Sequence, residues 1–256
     1  MMFQERTYRN LISTQGLVPY RVVVKETDLM VYTETNRIDE TKELVLEQRG
    51  YLEAYITSHP VFARTLVPWQ LDGPAPAIIV DMVKAGRNAG VGPMAAVAGA
   101  IAEQVGLGLL KLTDQVIVEN GGDVFIKTNS APTVGIFAGN SPLSLRIGIR
   151  LKGNAKPLAV CTSSGTVGHS LSLGTADAVC VVADSCSIAD AAATSIGNLV
   201  GSPADIENAI GAGRKMNALT GVVVIVEDKV GMWGDLEIVS LKDAIRPLQT
   251  QKRVEF

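Results

Sequence analysis

Several features are scarce or missing in this chain of 256 residues, and each absence excludes a class of protein. Cysteine occurs only three times, and its spacing fits neither a disulfide framework nor a zinc site. No apolar run is long enough to span a bilayer and no charged-then-apolar signal follows the first methionine, so we predict a soluble, cytoplasmic protein without a membrane partner. A formal net charge of -3 and the lack of basic clusters argue against binding to nucleic acid.

Lysine and arginine are missing altogether from residues 157–213, although the rest of the chain mixes both signs of charge. The same window holds the acidic residues Asp177, Asp184, Asp190, Asp205 and Glu207. A segment that carries negative charge only would suit a bound cation, or it would form a solvated acidic surface.

Hydrophobic patterning predicts an α+β fold with antiparallel or mixed sheets and packed helices. Many strands joined by hairpins, with helices that do not alternate regularly with them, favour this class. We predict a single domain with an N-terminal lobe (1–70) and a core (77–245), joined by a Pro- and Gly-rich connector at 70–77. Strands are predicted at 20–24, 29–32, on both sides of Asn120-Gly121, and at 133–138, 145–151, 158–161, 178–183, 220–226 and 236–241; helices are predicted at 39–58 and after Pro93, Ser187 and Ser202.

The predicted helix that begins at Ser187 contains Asp190, one of the acidic residues of the segment 157–213. Small and apolar residues surround Asp190, so we predict that the helix is covered on both sides. A buried lone carboxylate is unfavourable unless something compensates it. Asp190 and Thr194 lie four residues apart on one face, and two hard oxygen atoms suit Mg²⁺. On spacing alone, the favoured alternative is a capping box in which Asp190 reaches back to Ser187.

A glycine-rich stretch precedes the helix that Pro93 opens. Gly86, Gly90 and Gly92 could leave free N–H groups at a helix start, where a phosphate would bind, and Arg87 could assist. The equally supported alternative is a tightly packed core helix whose small face contacts a sheet. Asn120-Gly121 predicts a hairpin. Gly122 would allow a ligand to approach closely, although a plain hairpin is the better interpretation from these residues alone.

Three motifs, in order, resemble a known family. Residues 119–124 read ENGGDV, residues 162–165 read TSSG with His169 shortly after, and residues 188–194 read IADAAAT. They are similar to the strand–Gly-Gly-Asp motif, the Thr-Ser-Gly loop with its His, and the Ala-Asp-x-x-x-Thr helix start of the ApbE family. That family consists of flavin transferases that attach FMN from FAD to a protein threonine. The chain departs from its pattern where residues 170–173 replace Ile-Ile-Asp-Pro, and the lysine of the family's Gly-rich loop has no counterpart.

The resemblance implies an ApbE-like fold and a site for a flavin nucleotide or another small phosphate ligand. It implies that Asp190 and Thr194 bind Mg²⁺, that FAD or FMN is the cofactor, and that an acceptor protein is a partner. His169 is the candidate for proton transfer. The residues expected to border the cofactor are Gly90, Gly92, Pro93, Gly121, Gly122, Asp123, Thr162, Ser163, Ser164 and Gly165.

Two alternatives remain beside a flavin transferase. One is a protein that captures its ligand without turnover, which the departures from the family pattern favour. The other is a structural or assembly protein, a possible homodimer, in which the uncharged helices form a subunit interface. A shared fold does not by itself decide between them.

Overall fold

The computed structural model describes residues 16–152, 156–165 and 173–241, which build three layers. The helices form one layer, an antiparallel eight-stranded sheet the middle one, and a three-stranded sheet the third. The helices are α1 (Ile38–Ser58), α2 (Ala77–Ala89), α3 (Val97–Leu109), α4 (Cys186–Gly197) and α5 (Ile206–Arg214). The strands are β1 (Val18–Val24), β2 (Thr27–Thr33), β3 (Val116–Asn120), β4 (Asp123–Lys127), β5 (Thr133–Gly135), β6 (Ile147–Arg150), β7 (Leu158–Ser163), β8 (Ala178–Ala183), β9 (Leu219–Val226), β10 (Lys229–Gly234) and β11 (Glu237–Ser240).

The large sheet has the strand order β1-β2-β3-β4-β7-β8-β9-β10, and the small sheet has the order β11-β6-β5. Successive side chains of a strand point to opposite faces. Phe125 of β4 therefore packs in the helix-side core, while its neighbours Val124 and Ile126 pack in the core under the small sheet. Burial on both faces explains why the central strands are almost continuously apolar.

Much of the predicted secondary structure is confirmed, and the α+β class with it. The β1–β2 hairpin, α1 and the β3–β4 hairpin are present. The helix predicted after Ser202 is α5, where Ser202 and Asp205 form a capping box and Ile206 and Ile210 are buried.

The expectation that a glycine-rich loop begins at Gly86 was wrong. Residues Ala77–Ala89, for which no helix was predicted, form the helix α2, and Gly86 lies within it. Its buried residues Ile78, Ile79, Met82 and Val83 follow helical spacing, which the nearby glycines obscured. A glycine is needed at position 86 of this helix because a Cβ atom there would lie 2.8 Å from the carbonyl oxygen of Val91. Strand β10 was also missed, since glycines weaken a strand signal.

No single helix in the described ranges is long and apolar enough to cross a membrane. Only α2 taken together with residues Pro93–Leu109 passes on length and composition, and those two segments meet at a bend of 105°.

Candidate functional site

The hairpin between β3 and β4 brings two of the predicted motifs into contact. Gly121, with φ of 71°, and Gly122 form the two-residue turn that sets Asn120 opposite Asp123. The backbone N–H of Thr162 donates to the carbonyl of Gly122 at 3.0 Å. A Cβ atom on Gly122 would lie 2.5 Å from the Thr162 oxygen, so only glycine permits this approach. Asp123 pairs directly with Cys161, the residue before the Thr162 loop.

The third motif reaches the same place through the start of α3. The side-chain amide of Asn120 donates to the carbonyl of Ala98 at 3.0 Å. The next residue, Gly99, donates its backbone N–H to Oδ2 of Asp190 at 2.8 Å. A Cβ atom on Gly99 would lie 2.4 Å from the backbone carbonyl oxygen of Cys186, so the backbones of α3 and α4 approach each other closely at this point.

Helix α4 is capped by residues other than Asp190. Ser185 is its N-cap and accepts a hydrogen bond from the Ile188 N–H. Oε2 of Glu103, on α3, accepts from the N–H of Ser187 at 3.0 Å and from its hydroxyl at 3.1 Å. The capping box predicted between Ser187 and Asp190 is therefore wrong. Asp190 instead caps the other helix, α3.

Comparison with known proteins gives a family match over most of the chain. A family model described as "AbpE bacteria" matches residues 9–232. The chain belongs to this family. It is 41% identical over 242 residues to a UPF0280 protein of Methanococcus vannielii, which covers 92% of this chain and 95% of that protein. It is 40% identical over 199 residues to one from Methanosarcina acetivorans, which covers 77% and 78%.

Solved structures agree with the family at the level of fold. The flavinyl transferase ApbE of Pseudomonas stutzeri is similar with a TM-score of 0.52 and 13% identity, over 89% of this chain and 96% of that one. The ApbE protein of Thermotoga maritima has a TM-score of 0.55 and 13% identity, over 84% and 96%. The ApbE-like fold predicted from the motifs of this AbpE-family chain is thus confirmed.

Two carboxyl groups dominate the electrostatics of the site. Burial raises the pKa of Asp123 to about 7, and the negative charge of Glu119 adds to this shift. Burial also raises the pKa of Asp190 well above its usual range, and the charge of Asp123 reinforces it. The backbone N–H groups of Gly99 and Ala98 offset the shift of Asp190 only in part. Among the described residues, neither carboxyl forms an ion pair with a Lys, Arg or His side chain, so their mutual repulsion is not compensated by a cationic side chain.

Two thiols lie under the carboxyl groups. The sulfur atoms of Cys161 and Cys186 are 3.4 Å apart, and both residues are fully buried. Burial raises the pKa of the Cys161 thiol well above its usual range and that of Cys186 to about 11. Both thiols are therefore neutral at physiological pH, and a hydrogen bond from Cys161 offsets only part of the rise in the pKa of Asp123.

The residues present fit a magnesium ion that shares its coordination with a ligand. In the part of the chain that the structure describes, no three His, Cys, Asp or Glu side chains are grouped closely enough to hold a metal on their own. Mg²⁺, however, usually takes one or two carboxylates and completes its shell with water and phosphate oxygens. Asp190 keeps some exposure to solvent, and Thr194 follows one helical turn later. A carboxylate pair without a cationic partner suits such a site.

The structure places the other predicted residues less favourably. Gly90 ends α2 with φ of 73°, and Gly92 precedes a short 3-10 helix that begins at Pro93. A Cβ atom on Gly92 would lie 1.9 Å from the carbonyl oxygen of Thr65, so the close approach at this glycine is to the protein's own backbone. The side chain of Thr162 contacts the sulfur of Cys180 at 2.8 Å, in the core under the small sheet.

The remaining residues of the Thr162 loop lie at the end of β7 and just after it. Ser163 is partly exposed, and Ser164 follows it. Gly165 donates its N–H to the carbonyl of Ala176 at 2.9 Å. His169 lies outside the described residues.

Sequence reasoning missed two residues that organise the site, Gly99 and Glu103. Glu103 is the only charged residue in α3. A single carboxylate on an otherwise apolar helix indicates that a polar partner lies close by, so the sequence could have identified Glu103. Gly99 gave no such signal, because its role depends on a helix that lies 91 residues further along the chain.

Proposed function

We propose that this protein binds a flavin nucleotide together with Mg²⁺ at the site built by Asn120, Asp123, Gly99 and Asp190. The observation that carries the proposal is that the three separate motifs meet there, with a carboxylate pair that no cationic side chain neutralises. Two of the ApbE proteins that share the fold, from Pseudomonas stutzeri and Vibrio cholerae, are named flavin transferases, which supports a flavin as the ligand.

Asp190 and Thr194 would hold the metal, with Asp123 beside them. Bound there, the ion would neutralise charge on the pyrophosphate of FAD as a P–O bond breaks. The Gly122 turn and residues 163–165 would border the nucleotide. The hydrogen bond from the Gly99 N–H would hold the Asp190 carboxylate in the same position before and after the metal binds. The site would therefore be preorganised for the metal.

For a transferase, a threonine hydroxyl of an acceptor protein would form the new bond to the FMN phosphorus while AMP leaves. The proton of the threonine hydroxyl would pass to a base, for which His169 remains the candidate. A second function, ligand capture without turnover, is favoured by the departures from the family pattern at residues 170–173 and by the missing lysine of the Gly-rich loop. A cytoplasmic location stays a prediction from the sequence.

The test has two steps. The purified protein is incubated with FAD, with Mg²⁺ or with a chelator, and then passed through gel filtration. We expect flavin absorbance to travel with the protein only when Mg²⁺ is present, and to be lost in Asp190→Asn but kept in Asp184→Asn, an exposed carboxylate just before α4. Absence of flavin under both conditions would overturn the proposal and favour an assembly role.

The second step separates transfer from capture. The protein is incubated with FAD, Mg²⁺ and a candidate acceptor protein, and the denaturing gel is examined for flavin fluorescence. Covalent fluorescence on the acceptor supports a transferase, and bound flavin without it supports capture.

A further inference from the structure

Two thiols beneath the carboxylate pair take no part in the proposed binding of flavin and metal. Cys161 belongs to β7 and Cys186 begins α4, so the two residues join the large sheet to the helix that carries Asp190. Their sulfur atoms are 3.4 Å apart, and the Cys161 sulfur is also 3.3 Å from the carbonyl oxygen of Cys186. The two side chains therefore face each other directly between β7 and α4.

This contact is close to the geometry of a disulfide. Bonded sulfur atoms lie about 2.05 Å apart, so these two atoms would approach each other by about 1.4 Å. A disulfide cannot form without backbone movement where the side chains point apart. Here both sulfur atoms already point to a shared position, and small changes in the side-chain torsions bring them together. Because both residues are fully buried, the close-packed core holds the pair in this arrangement.

The third cysteine cannot replace either member of the pair. Cys180 lies in β8 and packs in the core under the small sheet, whereas Cys161 and Cys186 pack in the helix-side core. The Cys180 sulfur contacts the hydroxyl of Thr162 at 2.8 Å. Since the two cores lie on opposite faces of the large sheet, the sheet itself separates the Cys180 thiol from the other two. Only one pairing of the three cysteines is possible in the folded protein.

The surroundings of the pair determine which oxidant can act on it. Asp123 accepts a hydrogen bond from the Cys161 thiol, and Asp190, one helical turn after Cys186, keeps some exposure to solvent. Neither thiol is exposed, so a bulky disulfide does not reach them in the folded protein, whereas a molecule as small as hydrogen peroxide can enter. Burial raises the pKa of both thiols, which makes oxidation slow at neutral pH.

We propose that Cys161 and Cys186 form a redox pair that peroxide converts to a disulfide between β7 and α4. One thiol attacks the peroxide, so that an O–O bond breaks, an S–O bond forms and one water leaves, which gives a sulfenic acid. The second thiol then attacks this sulfur, an S–S bond forms, the S–O bond breaks and a second water leaves. The two thiols lose two electrons, and the peroxide is reduced to two molecules of water. The proposal does not depend on flavin binding.

Peptide mass spectrometry without reduction tests the proposal. The reduced, folded protein is treated with hydrogen peroxide, denatured in iodoacetamide to trap the remaining thiols, and digested. We expect one linked peptide pair, Cys161 with Cys186, lighter by two hydrogen atoms, with Cys180 alkylated and with full reversal by dithiothreitol. Persistence of all three free thiols, over-oxidation without a link, or a link through Cys180 would each overturn the proposal.

Two variants and a measurement of stability complete the test. Cys186→Ala should give no linked peptide, whereas Cys180→Ala, the matched control, should keep the link; far-UV circular dichroism verifies that both are folded. The bridge closes a loop between residues 25 positions apart, so the oxidised protein should unfold about 5–10 °C above the reduced one. A midpoint that falls on oxidation would show that native packing does not accommodate the bridge and would also overturn the proposal.

Discussion

The carboxylate of Asp190 on α4 accepts a hydrogen bond from the backbone N–H of Gly99 on α3, at 2.8 Å. Glu103 of α3 makes the return connection to the first turn of α4, through Ser187. Each helix therefore supplies the acidic cap of the other, where the helix dipole favours negative charge. The two helices are fixed relative to one another at the point where the motifs meet.

The contact at Gly99 leaves no room for a side chain. We expect Gly99→Ala to lower the free energy of unfolding by about 2–4 kcal/mol, because the new methyl group would lie 2.4 Å from the carbonyl oxygen of Cys186. Gly50→Ala is the matched control in α1, since its position is open, and it should raise the free energy by roughly 0.5–1 kcal/mol. Urea unfolding measures both, and equal effects of the two substitutions would contradict the helix contact described above.

The cap that Glu103 provides can be removed without touching the carboxylate pair. Glu103→Ala should lower the free energy of unfolding by about 1–3 kcal/mol, since Ser185 and the Ser187 N–H lose their acceptor. Glu103→Gln keeps an acceptor oxygen and should have a smaller effect. Glu43→Ala, in an exposed part of α1, should change the free energy by less than about 0.5 kcal/mol. Thermal or urea unfolding of these variants decides whether the return cap stabilises the fold.

Binding of Mg²⁺ should depend on the charge at Asp190 and not only on its cap. Asp190→Asn keeps an oxygen that can accept from Gly99 but removes the charge that Asp123 repels, so in chelator we expect this variant to be at least as stable as the unmodified protein. With Mg²⁺ and FAD near 100 times their dissociation constant, the unmodified protein should gain about 2–3 kcal/mol, and the variant should lose that gain. Thermal unfolding in each condition measures it. A gain of equal size in Asp190→Asn would place any metal elsewhere.

The buried carboxyl of Asp123 predicts an unusual dependence of stability on pH. Its pKa is raised to about 7 in the folded protein, while in the unfolded chain it is about 4. Between these values the folded state holds a proton that the unfolded state has released. The contribution of Asp123 to stability in chelator should therefore fall as the pH rises from about 4 to about 7, by on the order of 3 kcal/mol, and level off above that.

The variant Asp123→Asn should reduce this slope, and Asp190, whose pKa burial also raises, should account for the slope that remains. Free energies of unfolding in urea at several pH values measure it for both proteins. A stability that rises over the same interval in the unmodified protein would contradict the raised pKa of Asp123.

Secondary structure that depends on a local residue pattern could be predicted from the sequence. The hairpin at Asn120-Gly121, the helix after Ser202 and the apolar β8 each depend on residues within a few positions, so their structure could be predicted. Where glycines interrupted the pattern, as at Gly86 in α2 and Gly231 in β10, the prediction failed. In both places the glycine admits a contact from a distant segment, which local propensity does not encode.

The amino-acid sequence by itself determined the α+β class, the ApbE-like motifs and the identity of Asp190 as a carboxylate with no basic neighbour in sequence. Only the tertiary structure decided what that carboxylate does. Asp190 could belong to a capping box at Ser187 or could cap α3. Which of the two forms depends on which free backbone N–H groups lie within hydrogen-bond distance of its carboxylate. Because packing brings Gly99 to 2.8 Å from Asp190 while Ser185 and Glu103 already satisfy the start of α4, the partner of Asp190 is set by long-range contacts that spacing along the chain does not specify.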